Sequence, residues 1–243
     1  MPPGVGGGVG VAPPPPVPPT PSPATGRRGS AGEQPSWLSR HPEVVPPDKI
    51  RLPRLKLPLG TSRLKLRSWR RSDAEWIAHE LADREVTRTV PLWPRYTLSD
   101  ARAFITRATK ELRAGDSYLL AITERDSEEP VGSIGLEVRS ARDRRGHLGY
   151  WIAHGQWGRG YASEAASALC QAAFLDLKLH RLETGVMDGN SASRAVLLRL
   201  GFRWEGRERD TWRVDGRYRD AERFALLAPE FVPYKPLGRQ HSS

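Results

Sequence analysis

Between Tyr150 and Ala165 the chain reads YWIAHGQWGRGYASEA, an apolar aromatic run that passes Gly155, Gly158 and Gly160 into a helix-like stretch. Glycine costs backbone entropy on folding, so two glycines beside a helix start need a physical reason. A strand that turns through glycines into a helix leaves several backbone N–H groups without partners at the helix start. Those donors and the helix dipole favour an anion, typically a phosphate. Gly158 and Gly160 would let such a loop wrap closely, and Arg159 adds positive charge. A tight turn that binds nothing fits the same residues. Two nucleotide-binding patterns do not fit. A Walker loop needs Gly-Lys-Ser/Thr at the helix start, where this chain has GRGYAS. A dinucleotide fingerprint needs a third glycine and a parallel βαβ unit; GRGYAS lacks that glycine and follows an antiparallel meander, so the match is weak.

The elements that must position this turn are legible on either side of it. SRLKLRSW alternates Leu64 and Leu66 with basic residues, as a half-buried strand does. Ser72 and Asp73 open a helical run, DAEWIAHELAD. After the breaker VPLWPRY, Thr97 caps a second helix that stops at Gly115. SYLLAITER, VGSIGLEVR and HLGYWIA follow with hairpin-length connections, which predicts an antiparallel meander. The helix after Gly160 carries Ala162, Ala165, Ala166, Leu169, Cys170, Ala173, Phe174 and Leu177 on one 3.6-residue stripe. That stripe makes Cys170 a core residue, since buried cysteine behaves as a small hydrophobe. HRLETGVM, NSASRAVLLRLG, FRWEGRERDTW and YRDAERFALL complete the order β-α-α-β-β-β-α-β-α-β-β. The expected fold class is α/β, a mixed and largely antiparallel central sheet flanked by helices.

Composition sets the limits. Of 22 prolines, 16 fall in residues 1–60, together with APPPPVPP and GRRGSAG. Such a segment cannot bury enough apolar surface to offset chain ordering, so residues 1–60 are expected to be a disordered, partly polyproline-II tail or a docking ligand for an aromatic groove. Residues 61–232 then form one domain and 233–243 a flexible C-terminal tail. The chain holds 38 Lys+Arg against 28 Asp+Glu, a formal charge of +10. That favours anionic partners without choosing among them. A single cysteine excludes an intrachain disulfide and suits a reducing, cytoplasmic setting. No apolar run is long enough to span a bilayer, and the N-terminus does not read as a secretory signal. The six histidines, at 41, 79, 147, 154, 180 and 241, lack ligand-like spacing, so no metal is expected.

In the order and spacing of three motifs the chain resembles the GNAT superfamily of acyl-CoA-dependent N-acyltransferases. Inside that superfamily it is similar to the ribosomal-protein alanine N-acetyltransferases of the RimJ/RimL group. The motifs are GYWIAHGQWGRGYASEA, LHRLETGVMDGNSASRAVLLRLGF and DTWRVDGRYRDAERFAL, and the likeness runs from about Leu64 to Leu227. The family's first motif reads approximately R/Q-x-x-G-x-G/A. Trp157 stands at its R/Q position, followed by Gly158, Arg159, Gly160, Tyr161 and Ala162.

The resemblance implies acetyl-CoA as co-substrate, with its pyrophosphate cradled by the main-chain N–H groups of Gly158 to Ala162. It implies that the strand ending at Ile152, Ala153 and His154 splays from the next one, so that pantetheine pairs with the exposed edge. A backbone N–H near Ile152 would serve the oxyanion. Asn190 and Ser193 align with the family's N-x-x-S segment, which puts Ser193 near the coenzyme sulfur as the proton donor to the thiolate. Asn190 reads equally as an N-cap and Ser193 as an ordinary first-turn residue. Many relatives carry glutamate two residues before the Gly-Tyr pair, where this chain has His147. An imidazole titrating near neutrality could relay the amine's proton, or His147 could face solvent beside RDRRG. Glu137 on the neighbouring strand is the rival base.

The acceptor implied is a primary amine, either a protein N-terminus or a small molecule such as an antibiotic or polyamine. A CoA-binding sensor without activity is a further reading. Trp76, Trp93 and Tyr96 either line an amine pocket or pack in the core. Ribosome contact through the basic tail is an expectation that charge allows. Specific DNA binding is not expected, because no nucleic-acid motif is present.

Overall fold

The computed structural model describes residues 10–11, 51–88, 90, 96–214 and 216–234. Most of the expected N-terminal tail, Trp93 and residues 235–243 lie outside the described residues. The strands are β1 (Gly10–Val11), β2 (Leu59–Gly60), β3 (Leu64–Ser68), β4 (Ser117–Glu124), β5 (Pro130–Ser140), β6 (Arg145–Ile152), β7 (Arg181–Met187), β8 (Arg203–Val214) and β9 (Arg217–Leu227). The helices are α1 (Ala74–Glu80), α2 (Arg84–Thr87), α3 (Leu98–Ala114), α4 (Tyr161–Leu175) and α5 (Ser191–Arg199). Among the described residues the sheet runs β2-β3-β4-β5-β6-β7-β9-β8, with β1 paired to β6. The β4-β5-β6 meander is antiparallel, as the hairpin-length connections predict. Among the described strands only β6 and β7 pair in parallel, because α4 carries the chain back across the sheet between them.

One core lies on each face. The β6 residues Leu148, Tyr150 and Ile152 enter the larger core with the apolar stripe of α4, including Cys170, which is fully buried. Trp151 points the other way, into a second core with Trp69, Ile77, Ile105 and Ala108. This two-residue alternation gives every β6 side chain a definite side of the sheet. Helix α3 starts on Thr97, whose hydroxyl accepts from Asp100 N at 3.2 Å, and ends at Gly115 with φ of 85°. Both ends match the sequence reading.

The structure departs from that reading in three places. The run from Asp73 stops as a helix at Glu80. A separate short helix, α2, begins where the Asp83 carboxylate accepts from Glu85 N at 2.8 Å. The folded part starts before residue 61: Leu55 is buried in the larger core, and Arg54 donates to the carbonyls of Arg113 and Ala114. Leu52, Leu57 and Leu59 pack against the same core, and because Pro53 and Pro58 stand among these leucines, local composition hid an apolar face. At the other end, Tyr234 N donates to Ser167 Oγ at 2.9 Å, which ties the first residues of the expected C-terminal tail to α4.

Candidate active site

The turn after β6 has the backbone its glycines suggested. Gly158 and Gly160 sit at φ of 77° and 76°, in the left-handed region that glycine enters without a Cβ penalty. Gly160 is the N-cap of α4 and makes no side-chain cap bond, so the first-turn N–H groups have no partner within the helix. A Cβ at Gly158 would meet no atom within 4 Å, and one at Gly160 would meet only Arg63 Nη2 at 3.6 Å. The loop is therefore an open cradle of donors, which fits a diphosphate.

What holds the cradle was invisible in the sequence. Glu164, 4% exposed on the first turn of α4, accepts from Thr61 Oγ1 at 2.6 Å, Ser62 Oγ at 2.9 Å and Arg63 N at 2.9 Å. Arg63 Nη2 pairs with the same carboxylate at 2.6 Å, while its Nη1 donates to Arg159 O at 3.0 Å. Burial works against the Glu164 anion, yet the bonds from Thr61, Arg63 and Ser62 outweigh it and hold the carboxyl below its ordinary range. The guanidinium also lies 4.9 Å from the centre of the Tyr161 ring. Residues about a hundred positions apart thus clamp the loop to the start of β3.

Next to the cradle the sheet opens. β6 and β7 pair only from Arg145↔Arg181 to His147↔Glu183, after which the two strands diverge. Ala153 N donates to Val131 O at 2.9 Å, towards β5. Main-chain groups alternate along a strand, so the N–H and C=O of Tyr150 and Ile152 point to the opposite side, into the opening beside β7. Trp157 Nε1 takes the Ile152 carbonyl at 2.8 Å, leaving the Ile152 N–H directed into this slot. His154 does not face the slot: its Nδ1 lies 3.0 Å from Asp83 Oδ2, and its ring packs on Trp157 with centroids 4.4 Å apart.

Different chemistry lies on the two faces. Tyr150 OH reaches Ser193 Oγ at 3.2 Å on the α5 side, and both residues are fully buried. Asn190 caps α5 by accepting from Ser193 N at 3.0 Å, so it serves as the N-cap that the sequence allowed. Burial pushes the Tyr150 hydroxyl well up, so it is a neutral donor or acceptor.

His147, Gly149 and Trp151 occupy the other face. Trp151 stacks on Trp76 with centroids 5.6 Å apart, and Trp76 on Trp69 at 6.3 Å. Trp76 and Tyr96 pack against the second core, which supports the packing reading of these aromatics. Glu137 stands directly opposite His147 across the β5–β6 ladder. Burial raises the Glu137 carboxyl above its ordinary range, although Arg139 lies 3.1 Å away and pulls it down. Burial also lowers the His147 imidazole to about 4, helped by the charges of Arg139 and Arg223. This corrects the expectation of an imidazole titrating near neutrality. Those two cations arrive from other strands, and no local pattern around HLGYW announces them. On the same side Arg223 and Trp212 cover Gly185, where a Cβ would come within 2.7 Å of Arg223 Nη1. Among the described residues no cluster of side chains could hold a metal ion, and no helix is long and apolar enough to cross a membrane.

The family model described as the acetyltransferase (GNAT) domain matches residues 63–203. The chain belongs to the GNAT family. It is 32% identical over 174 residues to the uncharacterized N-acetyltransferase p20 of Bacillus licheniformis, covering 72% of this chain and 98% of the relative. It is 29% identical over 122 residues to the [ribosomal protein uS5]-alanine N-acetyltransferase of Escherichia coli, covering 50% of this chain and 63% of that one. Among solved structures, RimJ of Mycobacterium smegmatis in complex with CoA-disulfide superposes with a TM-score of 0.64 at 30% identity, over 76% of this chain and 89% of that one. This GNAT protein is accordingly an acetyl-CoA-dependent N-acetyltransferase of the RimJ-like kind.

Proposed function

We propose that the acceptor is the α-amine of a protein N-terminus and that the sheet separates the two proton transfers. When bound, the co-substrate supplies a thioester acetyl group. Gly158, Arg159, Gly160, Tyr161 and Ala162 would hold its pyrophosphate, and the β6 edge at Tyr150 and Ile152 its pantetheine. The Ile152 N–H, which points into the slot, would stabilise the carbonyl oxygen as charge develops there. The amine enters from the Glu137–His147 face, an N–C bond forms and the C–S bond breaks. Glu137 takes the proton that the amine loses. Ser193, held by the Tyr150 hydroxyl, gives a proton to the thiolate on the opposite face and regains one from solvent as the coenzyme thiol leaves. No protein nucleophile is needed, and Cys170 is remote in the core.

The weakness of the available bases favours an α-amine. His147, neutral above pH of about 4, has little basicity at neutral pH, and Glu137 is a carboxyl that burial raises above its ordinary range. An α-ammonium has a pKa of about 7.7–8.0 and an alkylammonium about 10.4. At pH 7 roughly a tenth of the former is already neutral, against less than a thousandth of the latter. The carrying observation is this pairing of a neutral imidazole and a raised carboxyl on the acceptor face. The likeness to the uS5-alanine N-acetyltransferase and to RimJ agrees with it. Contact with the ribosome belongs to the same reading.

Thiol release measured with an alanine-initiated peptide and with spermidine tests the choice. The peptide should show kcat/KM at least about tenfold higher, because the carboxylate can deprotonate its amine with less driving force. A preference for spermidine would reverse the acceptor assignment, and cofactor binding without turnover on any amine would make the protein a sensor.

A further inference from the structure

Strand β1 occupies the slot that the cofactor needs. Val11 pairs with Tyr150 and Gly10 with Trp151 in antiparallel register, on the edge of β6 that faces β7. β6 and β7 have parted by this point, their pairing ending at His147↔Glu183, so an extended main chain can enter between them. The Tyr150 N–H and C=O, turned away from β5, are the groups that a guest strand would engage.

The sequence of the guest explains its limits. Prolines stand at positions 2 and 3 and again from Pro13 to Pro16, and proline lacks the N–H a ladder requires. Between them GVGGGVGVA, Gly4–Ala12, offers an unbroken run of donors with only glycine, valine and alanine side chains. It is the stretch of the first twenty residues able to pair as a strand.

We infer that the N-terminal segment around Gly10–Val11 is an internal competitor for the pantetheine slot, so that acetyl-CoA must displace the chain's own strand to bind. This rests on the cofactor reading of the slot given above. Two paired residues bind weakly, yet a tethered segment acts at an effective concentration on the order of millimolar, which makes weak pairing count. The apparent cofactor affinity falls by the fraction of molecules whose slot is free.

The full-length protein and its Gly10→Pro/Val11→Pro variant separate the possibilities, because proline at position 11 removes the N–H that faces Tyr150 and both positions lie far from the folded domain in sequence. Calorimetry with acetyl-CoA should give a Kd about three- to tenfold lower for the variant. Hydrogen exchange at the Tyr150 amide, measured without cofactor, should be slower in the unaltered chain than in the variant. Equal exchange at Tyr150 in the two chains, or equal affinity with both chains binding, would overturn the inference. If neither chain binds acetyl-CoA, it is the cofactor reading that fails, and exchange at Tyr150 alone then decides whether the strand pairs.

Discussion

Exchanging Glu137 for glutamine should lower kcat by about 10²–10⁴-fold, the usual contribution of one acid–base group. Glutamine keeps the shape of the side chain and removes its basicity, so acetyl-CoA affinity should stay within a factor of about two, far below the tenfold that 1.4 kcal/mol represents. The pH profile identifies the cause. Glu137 must be ionised to accept a proton, and burial raises its carboxyl above the ordinary range. Activity should therefore climb as pH rises through that raised value, and Glu137→Gln should lose this limb while keeping the later one that belongs to the acceptor amine. His147→Ala should retain the Glu137 limb, since the imidazole is already neutral above pH of about 4. A limb lost in His147→Ala and kept in Glu137→Gln would transfer the role to the imidazole.

The second large effect is expected at the cradle. Gly160→Val should weaken acetyl-CoA binding by at least about tenfold, or 1.4 kcal/mol. It places a β-branched side chain where the helix N-terminus meets the diphosphate. Stability should fall too, because φ of 76° costs a residue with a Cβ about 1–2 kcal/mol. Gly216→Val separates the two effects. Gly216 has φ of 77° and open space around it, in the turn between β8 and β9. Both variants should lose similar stability by thermal unfolding, and only Gly160→Val should lose affinity by calorimetry. Unchanged affinity in Gly160→Val would remove the cradle.

Much of this was written locally in the chain. The glycines of GRGYAS, the apolar period of α4 and the caps at Thr97 and Asn190 are short-range signals, and each gave its element or turn. What the sequence withheld depends on residues that meet only after folding. Arg63 and Glu164 clamp the cradle across about a hundred positions, and nothing in SRLKL or YASEA marks them as partners. Leu55 joins the core from a proline-rich stretch whose composition reads as tail. His147 takes its character from burial and from Arg139 and Arg223 on other strands rather than from its own neighbours in the chain. Pairing of Gly10 and Val11 with β6 is likewise long-range, and two small residues carry no strand signal alone.

Intact-mass and fragmentation spectrometry of an alanine-initiated peptide, incubated with the enzyme and acetyl-CoA, tests the central claim most directly. The account predicts one added acetyl group on the peptide, located on the α-amine, and an equal amount of free coenzyme thiol. Thiol release with the peptide unmodified, or acetyl placed on a lysine side chain while the α-amine stays free, would contradict it.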